Sequence, residues 1–317
     1  MKPYAGISVS VSHASNKTIL NFAASLLAAA LLLGTAAAQT TVLYSFNDTT
    51  GLINLPKGAL VADAAGNFYG AAPATGNGGG GGIFELTPPA TKGGHWTEST
   101  LYEFTGGADG GYEGCCILYG DLIMDASGNL YGTTPGGGSG NGVVFELSPP
   151  TVSSGSWTET VLYPFTNGSY GVAPTSTLLF DKSGNLYGTA SGGGTGGGGT
   201  VFQLTPPTTS GGKWTEAVIH NFDTDAQFPT AAVTLTGTGA MYGTAGFGGT
   251  NFGGIIYKLT PPTVSGESWT ETIIESFSDG GTGPDSPQGS LLLSKGTLYG
   301  TSEFGGAYGW GSVFKLF

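Results

Sequence analysis

The stretch TLLFDKSGNLYGTASGGGTGGGGTVFQLTPPTTSGGKWTEAVIHNF, residues 177–222, decides the fold, because the chain repeats it. Near copies begin at Ala59, Asp121, Ala232 and Ser290. A Tyr-Gly step recurs at Tyr69-Gly70, Tyr131-Gly132, Tyr187-Gly188, Tyr242-Gly243 and Tyr299-Gly300, at intervals of 62, 56, 55 and 57 residues. Such a period marks a repeat architecture, in which each copy buries its apolar faces against its neighbours.

Every copy holds four strand-like runs. The first, such as Leu178-Leu179-Phe180, is continuously apolar, as expected of a strand covered on both faces. Asp-x-x-Gly-Asn follows at Asp63, Asp125 and Asp181, a tight turn of residue types that tolerate positive φ. The last two copies have Thr236 and Ser294 in place of that Asp. The second strand carries Tyr-Gly, whose glycine is expected to admit a neighbouring backbone. The third alternates Phe and Leu with Glu85, Glu146, Gln203, Lys258 or Lys315. The fourth runs Trp-x-Glu-x-φ-x-aromatic-x-Phe from Trp96, Trp157, Trp214 or Trp269, and its Pro164 suits a sheet edge.

One fourth strand is missing from the tail, and it stands at the head. Thr41-Val42-Leu43-Tyr44-Ser45-Phe46 matches Leu101-Tyr102-Glu103-Phe104 and Leu162-Tyr163-Pro164-Phe165, while the last copy stops after Val313-Phe314-Lys315-Leu316. A linear solenoid has no reason to split a repeat between its ends. A closed ring does, since the shared strand leaves no open edge. The expected fold is therefore all-β: a five-bladed β-propeller of four-stranded antiparallel blades, closed by the N-terminal strand joining the last blade. Residues 39–317 form one domain, with blades at about 59–104, 121–165, 177–222, 232–277, and 290–317 plus 41–46. A β-solenoid is the alternative.

Residues 1–38 read as a secretory signal peptide: Lys2 and Lys17, an apolar core from Ile19 to Leu33, then Ala36-Ala37-Ala38. No later run approaches the length of a spanning helix, so the mature chain is expected to be secreted and not inserted in a membrane. Its seven lysines against 21 acids leave −14, with no arginine. Nucleic-acid binding needs cations to displace counterions and arginine to read base edges, so that class is excluded. Cys115 and Cys116 are adjacent, which leaves a vicinal disulfide, an intermolecular bridge or free thiols. Neither a metal nor another cofactor is indicated.

The motif LYGT, a glycine run, then G-x-V-F-x-L-x-P, as at Leu186–Pro207, resembles the GloVer tandem-repeat family of exported bacterial proteins. The resemblance covers essentially all of residues 41–317. It implies export but no established activity, so no catalytic residue carries over. Members are described as ending in one of several sorting anchors; this sequence departs from that pattern by ending on a blade strand, which leaves attachment to a cell surface open.

In an antiparallel meander the second-to-third and fourth-to-first connections share one face, and it is these that vary. Glycine loops of the first three copies are nearly bare, whereas the last two carry Phe247, Phe252, Phe304, Tyr308 and Trp310. Exposed, these rings would stack on sugar or other apolar faces; folded inward, they would plug the channel. Asp109, Tyr112, Glu113, Cys115 and Cys116 lie in the longest loop of that face, where a vicinal bridge would stiffen a ligand contact or merely the loop. Glu98, Glu159, Glu216 and Glu271 share one repeat position and read as structural. His220 takes the slot of Tyr44, Tyr102 and Tyr163 and reads as a packed substitute. The expected function is that of a secreted, non-enzymatic binding or surface-interaction module, with a glycan or another surface protein as partner. The alternatives are a carbohydrate-active hydrolase, with carboxylates among Asp109, Glu113, Asp121, Asp223, Asp225, Asp279 and Asp285 at the channel mouth, and a structural envelope component. No oligomeric state is indicated.

Overall fold

The computed structural model describes residues 40–46, 53–75, 80–111, 120–152, 154–166, 168–209, 211–223, 226–264 and 266–317. The chain divides into two compact units, Met1–Leu43 and Tyr44–Phe317. In the first, only residues 40–43 are described, and they form no strand; the expected signal peptide lies outside the described residues.

Within the second unit the sheets follow the sequence repeats. Repeat one pairs Lys57–Ala62, Phe68–Ala72, Gly82–Thr87 and Thr97–Glu103 in that order. Repeat two uses Ile123–Met124, Leu130–Thr134, Val143–Ser148 and Thr158–Pro164. Repeat three uses Leu179–Phe180, Leu186–Gly192, Gly199–Thr205 and Thr215–Phe222. Repeat four uses Thr234–Leu235, Met241–Ala245, Phe252–Thr260 and Thr270–Ser278. Repeat five has three strands, Leu292–Ser294, Thr297–Ser302 and Ser312–Leu316. These ladders are antiparallel, as the meander requires, and no α-helix occurs among the described residues.

The turn after the first strand explains its own sequence. Asp181 Oδ1 accepts the Ser183 and Asn185 N–H groups, while Oδ2 accepts the Asn185 amide and the Tyr187 hydroxyl. Asp63 and Asp125 do the same in their repeats. One carboxylate thus fixes the hairpin and ties it to the tyrosine of the following strand.

The Tyr-Gly glycine has a different reason from the expected backbone approach. In all five repeats it lies opposite the third-strand aromatic: Gly70 to Phe84, Gly132 to Phe145, Gly188 to Phe202, Gly243 to Tyr257 and Gly300 to Phe314. The tip of the ring reaches over the glycine, so that a Cβ on Gly188 would stand 2.5 Å from Phe202 Cζ. Cross-strand aromatic cover of a glycine is a known way to stabilise that weak strand position.

Core packets fill the spaces between successive sheets. Each is keyed by the last Phe of one fourth strand meeting the third-strand aromatic of the next repeat. The pairs are Phe104–Phe145, Phe165–Phe202, Phe222–Tyr257 and Phe277–Phe314, with ring centroids 5.1, 5.2, 5.0 and 5.2 Å apart. A fifth pair, Phe46–Phe84 at 5.0 Å, continues the series from the head segment onto repeat one. The expected ladder of residues 41–46 on Val313–Leu316 is nevertheless not formed. Residues 40–46 join no sheet, and Ser312–Leu316 pairs only with Thr297–Ser302. Val313 is therefore 79% exposed, whereas its counterparts Ile83, Val144, Val201 and Ile256 are fully buried.

Candidate functional site

The connections predicted to share a face do meet there. Segments leading into the first strands pair with the loop after the second strand: Ile53–Asn54 with Ala74–Thr75, Val172 and Pro174 with Gly192 and Ala190, Ala226–Gln227 with Phe247–Gly248, Pro284–Asp285 with Phe304–Gly305. Each lead-in turns on a non-glycine residue in the left-handed region, followed by proline. These are Leu55, Ala173, Phe228 and Ser286, with φ between 53° and 58°. Such a conformation costs on the order of 1 kcal/mol or more and persists where its surroundings hold it. Here the neighbours hold it. Ala173, Phe228 and Ser286 donate their N–H to Asn141, Gly198 and Gly253 of the preceding repeat, and the Phe228 and Ser286 carbonyls accept from Gly246 and Glu303 of their own.

Beyond three of these prolines, Pro174, Pro229 and Pro287, the chain enters a pocket of about 510 Å³ where repeats two to five converge, lined by Pro135, Ala173, Thr175, Ser191, Thr230 and Gln288. The lining is neutral. Thr175 and Thr230 occupy equivalent positions, and their buried Oγ1 atoms have no hydrogen-bond partner among the described residues. A larger hollow of about 800 Å³ runs along the outer strand of repeat two beside Trp214. Its Glu146 is engaged locally by the Ser148 hydroxyl, and it reaches from Gly212 and Lys213 up to the variable loops at Ala108, Gly138 and Ser139.

Aromatic side chains stand on the same face. Phe247, Phe252, Phe304, Tyr308 and Trp310 are all exposed, Tyr308 and Trp310 at 90% and 91%, so they do not fold inward. Phe247 and Phe252 lie 6.2 Å apart, tilted by 41°. Phe252 has φ 63° at a position that Gly197 and Gly309 fill in the neighbouring repeats. Phe228, exposed and joined through its carbonyl to the Gly246 N–H, is a further exposed ring in repeat four that the sequence reading missed. Its signal lay in the X-Pro step shared by the lead-ins.

Asp109 is placed in a turn, where its carboxylate accepts the Tyr102 hydroxyl and both the N–H and hydroxyl of Thr105. Asp121 accepts the Ala59 N–H, and Asp285 accepts that of Gly280. Tyr112, Glu113, Cys115, Cys116 and Asp225 lie outside the described residues. Among the described residues no group of three or more His, Cys, Asp or Glu is arranged to hold a metal ion.

The fourth-strand glutamates lie at the joints between sheets. Burial pushes Glu216 up to about 7, and burial together with the nearby Asp109 does the same to Glu159. Burial likewise raises the Tyr163 hydroxyl to about 12, helped by Glu216. His220 packs on Phe222 as Tyr102 and Tyr163 pack on Phe104 and Phe165, so the packed-substitute reading holds. Its Nε2 is 3.5 Å from Glu271, while burial keeps the imidazole below its usual pKa.

Fold and site together define an all-β tandem-repeat protein of antiparallel sheets with its variable loops gathered on one face. The chain belongs to the Gloeobacter/Verrucomicrobia repeat family, which matches residues 32–237 and 117–314. No curated protein matches it. Among solved structures it is similar to a protein of unknown function from Dyadobacter fermentans, at 14% identity, with 81% of this chain and 77% of that one covered and a TM-score of 0.46. It is also similar to the Trypanosoma rangeli sialidase in complex with 2,3-difluorosialic acid, at 14% identity over 79% of this chain, TM-score 0.44; the match spans only 43% of the sialidase. An α-L-arabinofuranosidase from Clostridium thermocellum matches at 13% identity over 78% and 80% of the two chains, TM-score 0.36. No helix among the described residues is long and apolar enough to cross a membrane.

Proposed function

We propose that this protein is an exported, non-enzymatic glycan-binding module built as a closed five-bladed β-propeller. The single observation that carries the binding reading is the exposure of six aromatic rings, Phe228, Phe247, Phe252, Phe304, Tyr308 and Trp310, on the variable connections of repeats four and five. Aromatic faces stack on the C–H faces of sugars, and neutral hydroxyls and amides match their hydroxyl groups. Phe252 strengthens the case: a bulky residue kept in a conformation that glycine adopts more cheaply points to use rather than stability. A hydrolase would instead need two carboxylates facing each other across the substrate, and Asp109, Asp121 and Asp285 are already engaged in turns and joints.

Closure is supported by the head segment. Phe46 already occupies the place of a fourth-strand Phe against repeat one. Leu60 and Val313, at the two ends, are exposed where their counterparts in the other repeats are buried, and Leu292 is exposed where its counterparts are half-buried. In the closed form Tyr44 lies opposite Val313, as Tyr102, Tyr163 and His220 lie opposite Ile83, Val144 and Val201.

A glycan array probed with residues 39–317 tests the function. We expect binding that falls at least tenfold with Trp310→Ala and with Phe252→Gly, while Phe252→Gly raises Tm. An array with no hit would leave a purely structural envelope role, and hits indifferent to both substitutions would overturn the aromatic face as the binding site.

A further inference from the structure

We propose that the groove between the outer strand of repeat two and the Lys213-Trp214 corner of repeat three is a second carbohydrate site, which takes a segment of an uncharged oligosaccharide by stacking a sugar on Trp214 and bonding its hydroxyls to Tyr163, Glu146 and Lys213. It shares the ligand class of the reading above but not its site, so the two stand or fall separately. The groove has a volume of about 800 Å³, within the usual range of ligand pockets. It follows the chain from Thr160 to Thr166, roughly 20 Å of extended backbone, and ends at the variable loops by Ala108 and Gly138.

Two departures from the repeat pattern mark this joint. In repeats three and four the residue before the last Phe of the fourth strand ties down the loop after the second strand. Asn221 Oδ1 accepts the Thr195 N–H, and Ser276 Oγ accepts that of Thr250. Repeat two has Pro164 there, which offers no polar side chain, and its loop is one residue shorter between Gly132 and Gly142 than between Gly188 and Gly199. The second departure concerns the indole. Tyr69 meets Trp157 of the next repeat edge-on at 6.0 Å, whereas its counterpart Tyr131 takes Phe180 at 5.0 Å. Trp214 has no ring partner among the described residues, and it lines the groove half-buried.

The polar groups of the groove are both unmet and within reach. Tyr163 Oη, Trp214 Nε1 and Lys213 Nζ have no hydrogen-bond partner among the described residues; Glu146 takes the Ser148 hydroxyl on Oε1 and has none on Oε2. None of these four atoms is shut off from solvent, unlike both carboxylate oxygens of Glu216. Burial and Glu216 keep the Tyr163 phenol protonated, so it can donate. Lys213 stands where the other repeats have His95, Ser156 and Ser268, which sets an ammonium among the lining residues together with the Glu146 carboxylate.

These groups fit a sugar. An indole face stacks on the C–H face of a pyranose, a carboxylate accepts hydroxyls, and an ammonium and a phenol donate to them. One negative and one positive group leave the lining without net formal charge, and the acidic balance of the whole chain repels polyanions. Uncharged sugars are therefore favoured over uronates. An extended peptide added to the strand edge is disfavoured, because the bulge between Val161 and Tyr163 and the missing N–H of Pro164 both blunt that edge.

With one indole against six exposed rings the groove is the weaker seat, so it is read with the aromatic face disabled. Residues 39–317, with and without Phe252→Gly and Trp310→Ala, are titrated calorimetrically up to millimolar ligand. The probes are β-1,4-linked hexasaccharides of glucose, xylose, mannose and N-acetylglucosamine, a hexagalacturonate, and an octapeptide of alternating threonine and valine. The expected result in the disabled background is binding of at least one neutral hexasaccharide at one site per chain. Adding Tyr163→Phe with Lys213→Ala should weaken it at least tenfold at unchanged Tm. Residual binding indifferent to that pair, or none where the parent binds, overturns the groove and spares the glycan reading. Parent binding that survives Phe252→Gly with Trp310→Ala in full but is lost with the groove pair keeps the groove and sinks the aromatic face. Preference for the galacturonate overturns the uncharged ligand, preference for the octapeptide overturns the sugar in favour of a strand partner, and a parent that binds no sugar overturns both sites.

Discussion

Glu159 and Glu216 show how a repeated residue can be structural and still shape the protein's response to pH. Their folded-state pKa values, about 7, lie above the ordinary glutamate value of 4.5 because both side chains are taken from water at the joints between sheets. A raised carboxyl means that the folded state holds its proton more tightly than the unfolded chain. The stability this contributes is complete below about 4.5 and is lost as pH rises through 7. Asp63, Asp125 and Asp181 work the other way. Burial pulls each upward, but the hydrogen bonds of its turn outweigh that and hold it below 3.8. Their contribution is present above that value and lost as pH falls through the lowered one. Thermal melts should therefore show greatest stability between about pH 4 and 6. In Glu159→Gln with Glu216→Gln, which mimic the protonated form, the fall in Tm from pH 5 to pH 8 should flatten. A wild-type Tm that rises from pH 5 to pH 8 would contradict the assignment.

At the scale of the strand, the pairing of glycine with a cross-strand ring is the device on which each sheet depends. Gly188→Ala would drive its Cβ into Phe202, a ring fully buried between repeats two and three and in contact with Phe165. Overpacking of this kind typically costs about 1–3 kcal/mol, and a small second substitution that shortens the ring, Phe202→Leu, should recover part of it. Urea titration of the two variants checks this; equal stability of wild type and Gly188→Ala would remove the packing account. Strand order and turns were legible in the sequence because Asp-x-x-Gly-Asn, Tyr-Gly and Trp-Thr-Glu each answer a local demand. The reason for the glycine was not legible, since the ring that needs it sits 14 residues away across a ladder. Nor were the bulges. Leu101, Leu162, Ile219 and Ile274 are each an extra residue in the fourth strand, and one residue out of alternation is absorbed unnoticed in a strand pattern. In the candidate site, Phe247, Phe252, Phe304, Tyr308 and Trp310 announced themselves against bare glycine loops. Thr175 and Thr230 did not, because small polar residues in a lead-in mean little until the X-Pro steps are superposed.

For the whole molecule, the question is what covers the free edge of Ser312–Leu316. Every other third strand has a fourth beside it, and the sequence offers one candidate, residues 41–46, whose Phe46 is already seated on repeat one. An uncovered edge with Val313 outward invites pairing with another chain, which a ring avoids. The lead-in of repeat one is formed for the same joint: Leu55 holds φ 57°, as Ala173, Phe228 and Ser286 do where they bond to the preceding repeat. Its partner in a ring would be the Trp310 carbonyl, the counterpart of Gly198 and Gly253. Closure would thus bring the aromatic loop of repeat five against repeat one and complete the mouth of the pocket. The most direct test is a cross-strand disulfide, Tyr44→Cys with Val313→Cys, in a background with Cys115→Ser and Cys116→Ser, oxidised at low protein concentration. Peptide mapping should find the two cysteines joined within one monomeric chain, with Tm raised over the reduced form. Free thiols, or bridges found only between two chains, would contradict the closed ring.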